Sequence, residues 1–199
     1  MVQDETWTTD EYGKSHEGRV GVLLPDGSVP EPVYFDGSST VGQMVAHWSV
    51  YDGEGFRRPK ADSLLAVCSC GWEGEARRLD WEAYGEVPMR KAALGLAEKC
   101  LLDWDRHTAQ VGESTVALPG ELVELLREVE HRIEHLTADT PVVTLKALRH
   151  LEVMAVRLGH GAAHNARHEP VEEVAAGLGL NVRAAKALLA RFGQWDFYG

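Results

Sequence analysis

Val67-Cys68-Ser69-Cys70-Gly71-Trp72-Glu73-Gly74 is the stretch whose reading decides how this chain is built. Two cysteines one residue apart, followed by Gly-Trp, form a turn that aims two thiolates at one point. Thiolates so placed want a metal, and zinc is the default ion for soft ligands. Residues 63–67 are apolar and make a strand into the turn, and 75–79 return beside it. Strand, knuckle and strand together have the outline of a zinc ribbon or a similar zinc hairpin.

Toward the N-terminus, residues 1–18 are polar and read as a loose arm with Trp7 docked on the body. Residues 18–35 read as a hairpin: Val20, Val22 and Leu24 alternate, Pro25-Asp26-Gly27-Ser28 turns, and Val33-Tyr34-Phe35 returns. A second turn follows at Asp36-Gly37-Ser38-Ser39. Val41, Met44, Val45 and Trp48 have helical spacing, which predicts a short helix over 40–51, and 52–62 reads as a mobile loop.

Toward the C-terminus the period changes to that of helices. Pro88 suits a helix start, and Ala92, Ala93, Leu96, Ala97, Cys100, Leu101 and Trp104 run on one side toward His107. Residues 112–119 form a linker. Leu122, Leu125, Leu126, Val129, Ile133 and Leu136 step by threes and fours along an amphipathic helix over 121–136. Thr140 is read as the N-cap of a second helix, marked by Leu145, Leu148, Leu151, Ala155, Leu158 and Ala162 and weakened at Gly159 and Gly161. A short break between two such helices makes an antiparallel hairpin. A further helix starts near Val171, Gly179-Leu180 turns, Asn181 caps a last helix over 182–192, and residues 194–199 are an aromatic tail.

These elements predict an α+β protein in two parts. Residues 1–118 form an acidic zinc-binding domain of β-hairpins packed on a helix. Residues 119–199 form an all-α domain. The 199 residues are 44% hydrophobic and 26% charged, as in ordinary globular proteins. No apolar run approaches the roughly 18 residues of a membrane span, and the start lacks a signal peptide's basic and apolar character, so the expected location is cytoplasmic. Three cysteines suit a metal site in a reducing compartment better than a disulfide framework. The net charge is −11, with 20 acidic and 11 basic side chains over 1–118 and 11 and 9 over 119–199. Phosphate attraction dominates non-specific DNA binding, so any contact with DNA must fall to the C-terminal part.

A zinc ion needs about four ligands. The CxCGW turn followed some tens of residues later by Trp104-Asp105-Arg106-His107 resembles a short motif of small actinobacterial proteins of uncharacterised function. That resemblance implies Cys68, Cys70 and His107 as ligands to a structural zinc. The fourth is open between Asp103, one helical turn from His107, and His47. Cys100 lies two turns from His107, about 10 Å along a helix, too far to share one metal. It reads as plain core. His131 and His135, and His160, His164 and His168, recur every four residues and read as solvated helix positions.

The stretch from Glu169 to Gly193 resembles the helix-turn-helix module of bacterial transcription regulators. The resemblance implies double-stranded DNA as partner and Asn181 at the start of the reading helix. On that helix Ala185, Leu188, Leu189 and Phe192 face inward, while Arg183, Lys186 and Arg191 face outward to contact DNA. A homodimer through the 120–158 hairpin would pair two such readers. Two alternatives stand beside a transcriptional regulator: an adaptor whose acidic N-terminal domain binds a partner protein, and a metal-dependent hydrolase with an open zinc position. No phosphate-binding glycine loop, nucleophile elbow or HExxH motif points to an enzyme.

Overall fold

Strand β5 (Ser63–Cys68) is the middle of the N-terminal unit in a computed structural model that describes residues 5–37, 40–55 and 58–193. It pairs antiparallel with β2 (Gly18–Leu23) over six residues, Gly18 opposite Cys68 and Leu23 opposite Ser63. The short edge strands β1 (Thr6–Trp7) and β6 (Arg77–Arg78) complete a sheet of order β1-β2-β5-β6. Because β5 is flanked on both sides and covered on its faces, its residues run apolar without alternation, and Leu64 and Ala66 are fully buried.

Local patterning misleads at three places before the knuckle. Residues 18–35 do not close a hairpin. After β2 the Pro30-Glu31-Pro32 stretch intervenes, and β3 (Val33–Gly37) pairs instead with β4 (Thr40–Val45) in a separate two-stranded sheet. The helix expected over 40–51 is therefore a strand followed by a 3₁₀ turn (Trp48–Val50). The β-branched Val45, paired with Val33, favours the pleat. From residue 5 onward the arm is not loose either. It contributes β1 and a 3₁₀ turn (Gly13–His16) whose Ser15 and His16 are buried.

Beyond the knuckle come three helices of the same unit: α1 (Trp81–Tyr84), α2 (Met89–Ala92) and α3 (Leu94–Ser114). Pro88 does stand immediately before a helix, the short α2. Ala97, Cys100, Trp104, His107 and Thr108 recur every three or four residues along α3 and form its buried stripe. Trp104 and Cys100 join Val20, Val22, Leu64 and Ala66 in one core.

The chain divides into two compact units, residues 1–112 and 113–199. The second contains α4 (Gly120–Asp139), α5 (Pro141–Ala166), α6 (Val171–Gly177) and α7 (Val182–Gly193). Thr140 does occupy the N-cap position of α5, yet its hydroxyl donates back to the Leu136 carbonyl of α4. α5 runs unbroken through Gly159 and Gly161, and the Phe192 ring of α7 packs against Gly159. Between α6 and α7 Gly179 takes φ +64, which a side chain would strain, and the Leu180 N–H reaches back to the Ala175 carbonyl at 2.9 Å. Asn181 Oδ1 accepts the Ala184 N–H at 2.8 Å, an N-cap that starts α7. Ala175 and Ala185, both buried, let α6 and α7 approach closely. The aromatic tail read at 194–199 lies outside the described residues. Among the described residues no helix is long and apolar enough to cross a membrane.

Candidate metal centre

The knuckle is a tight loop between the end of β5 and residue 74. Cys68 N–H donates to the Trp72 carbonyl, Gly71 N–H to the Cys68 carbonyl, and Gly74 N–H to the Ala66 carbonyl, all at 2.8–2.9 Å. Gly71 has φ +94, the left-handed turn that brings the chain back. Ser69, the residue between the two cysteines, ties this loop to the arm. Its N–H donates to the Glu17 carbonyl at 2.8 Å, its Oγ donates to the Lys14 carbonyl at 3.0 Å, and the same Oγ accepts the Glu17 N–H at 3.0 Å.

Those three bonds hold His16 over the knuckle. Cys68 Sγ lies 3.7 Å from His16 Nδ1, Cys70 Sγ 3.3 Å from His107 Nε2, and the two imidazole nitrogens 3.3 Å from each other. All four donor atoms fall within 4.8 Å of one another, so His16, Cys68, Cys70 and His107 form a cluster that could hold a metal ion. Cys70 is exposed and the other three are buried. Trp72 stacks flat on the His107 ring, centroids 4.3 Å apart and planes 4° from parallel, and Tyr12 meets His16 edge-on.

The electrostatics match a cluster whose members other than Cys70 are buried. Burial pushes the Cys68 thiol up. Burial pulls His107 down, and His16 beside it acts the same way. Neutral imidazoles are what a metal requires, while the raised thiol must lose its proton when the ion arrives.

The fourth member is His16, and not Asp103 or His47. The Asp103 carboxylate is taken by two guanidiniums, Arg77 of β6 and Arg106 one turn along α3 (3.2 Å). Arg77, chiefly by hydrogen bonding, holds the Asp103 carboxyl below the usual carboxylate range. His47 caps the 3₁₀ turn, its Nδ1 accepting the Ser49 N–H at 3.2 Å. Cys100 is buried in the core, its thiol pushed up to about 11 by burial, and takes no part. His131 and His135 touch on the exposed face of α4, 3.1 Å apart, and His160 Nδ1 lies 3.3 Å from the Phe192 carbonyl. Among the described residues neither stripe gathers the three donors of a metal site.

Two expected outcomes follow from these contacts. Ser69→Ala removes two of the three bonds to the arm while leaving both cysteines, and lowers the stability of the metal-free chain by roughly 1 kcal/mol in urea unfolding. An unchanged midpoint would show that the arm is held by other means. Asp103→Asn lowers stability by about 2 kcal/mol at neutral pH, since a charge-assisted pair to a half-buried Arg77 is lost. A depressed folded pKa contributes stability above the carboxylate range and loses it as pH falls. The gap between wild type and variant therefore narrows as pH falls below the ordinary carboxylate range. A gap independent of pH would contradict the ion pair.

On α7, Arg183, Lys186, Ala187, Ala190 and Arg191 are exposed, Ala185 is buried and Leu188, Leu189 and Phe192 are half-buried. Asn181 is exposed, and its side-chain oxygen is engaged in the cap already described.

Fold and site define an α+β chain with a two-cysteine, two-histidine cluster in its first unit and a helical second unit. Compared with family models, with curated proteins and with solved structures, the chain matches none.

Proposed function

We propose that the protein is a zinc-stabilised DNA-binding protein that acts as a transcriptional regulator. The ion is a structural zinc on His16, Cys68, Cys70 and His107. Zinc binds nitrogen at about 2.0–2.1 Å and sulfur at about 2.3 Å, so the edges of its tetrahedron measure about 3.3 Å between nitrogens and about 3.5 Å between sulfur and nitrogen. The separations of 3.3, 3.3 and 3.7 Å fit those edges. Four protein donors fill the shell and leave no position for water or substrate, which favours a structural ion over a hydrolytic one.

The observation that carries the DNA reading is the outward face of α7. It bears Arg183, Lys186 and Arg191 with no acidic residue, and the small Ala187 and Ala190 between them give clearance for a groove. Cations of this kind serve phosphates and guanine edges. Asn181 acts by capping the reading helix and so fixing its start. The acidity of residues 1–118 keeps the first unit off the duplex. The test is a mobility shift of the full zinc-loaded chain against genomic fragments. Salt-sensitive binding supports a regulator. No shift with any fragment moves the reading to an adaptor whose acidic unit meets a basic protein.

A further inference from the structure

α4 has no buried residue along its 20 positions, and α5 buries only Thr144 and Ala163 among 26. On these two helices thirteen large apolar side chains are exposed, too many to be surface scatter. An amphipathic helix draws its stability from packing its apolar stripe; here α4 packs on α5, and α5 on α4 and α7, and much of their apolar surface still meets water. Between α4 and α5 runs an open groove of about 660 Å³ lined by Leu126, Val129, Ile133, Leu145, Leu148 and Leu151.

We infer that a second copy of this chain fills the groove, the two α4–α5 hairpins closing into a four-helix bundle about a two-fold axis along the bundle. The charges select this occupant. α4 carries six acidic residues against Arg127 and Arg132, and two of the acids, Glu130 and Glu134, line the groove. α5 carries Lys146, Arg149 and Arg157 against Glu152. Two-fold rotation about that axis sets α4 of each copy beside α5 of the other, antiparallel and of opposite charge. The apolar ridge Leu145–Leu148 of one copy then enters the groove of its partner, and Arg149, next along the chain, meets the acidic rim. A self-complementary face of this kind is what an isologous dimer requires. Two helices about 30 Å long and 10 Å wide present about 600 Å² in projection, close to the ~800 Å² each partner gives a standard interface. The inference is independent of the DNA reading, since it concerns another face of the second unit.

The experiment is sedimentation equilibrium of the full chain at micromolar concentration, with far-UV circular dichroism to confirm folding. Wild type is expected at twice the 21.9 kDa chain mass. Leu126→Glu with Leu145→Glu is expected to give folded monomer. Glu130→Lys with Glu134→Lys, and separately Arg149→Glu, are each expected to weaken self-association at least tenfold. Mixing those two variants restores a dimer, because each then offers the other a matching rim. A monomeric wild type overturns the proposal, and so does a dimer that survives the paired leucine substitutions with its helicity intact. Charge variants whose mixture associates no better than either alone overturn the arrangement even if the leucine variants unfold.

Discussion

His16→Ala is expected to weaken zinc binding as severely as Cys68→Ser, although it lies in an arm 52 residues from the first cysteine. Structural zinc sites in small domains are worth about 10–16 kcal/mol, so one ligand in four corresponds to about 3 kcal/mol, or at least a hundredfold in affinity. His16 is itself buried, with His107 3.3 Å away, so its loss opens the buried side of the cluster. A competitive chelator titration measures this directly. Asp103→Ala is the control that separates the two readings of the fourth ligand. Its carboxylate answers Arg77 and Arg106, so that variant is expected to lose stability and keep the ion. Because zinc binds the folded form, the His16 variant also unfolds at the lower temperature of the metal-free protein. Full zinc affinity in the His16 variant would remove it from the site.

The second large effect is expected at α7. Arg183→Ala with Lys186→Ala removes two exposed cations from the face proposed to meet DNA, each worth about 1–3 kcal/mol at a nucleic-acid contact. The pair is expected to weaken binding about a hundredfold. The plot of log affinity against log salt should flatten by about 1 for each of the two that touches phosphate. Fluorescence anisotropy on a duplex selected by the wild-type protein reads both quantities. Neither side chain packs inside the unit, so the helical signal and melting temperature should stay unchanged. Equal affinity and equal slope in wild type and variant would leave α7 a helix that only packs.

What the residues alone reveal depends on how local each signal is. The knuckle announces itself because CxCGW needs only five consecutive residues, with Gly71 at the left-handed turn. Helices α4 and α5 were legible from apolar steps of three and four, and the α6–α7 turn from Gly179 and Asn181. His16 was not legible. Its approach depends on β2 pairing with β5 and on Ser69 bonding to Lys14 and Glu17, contacts that span 40 to 55 residues. The only local sign is a histidine set between Gly13 and Gly18 at the mouth of a strand. Asp103 attracted attention through its helical spacing from His107, but Arg77, 26 residues earlier, claims its carboxylate. The stretch holding β4 resembled a helix because Val41, Met44, Val45 and Trp48 have helical spacing, and the pairing of β4 with β3 overrode it. The same non-locality hid the partner of β2, since a turn at 25–28 says nothing about a strand forty residues on.

X-ray absorption at the zinc edge of the purified full-length chain, with metal content measured on the same sample, goes straight to the four-residue centre. One zinc per chain is expected, in a shell of two sulfurs at about 2.3 Å and two nitrogens at about 2.0–2.1 Å. A shell containing carboxylate or water oxygen, or a folded chain that takes up no zinc, would contradict the centre formed by His16, Cys68, Cys70 and His107.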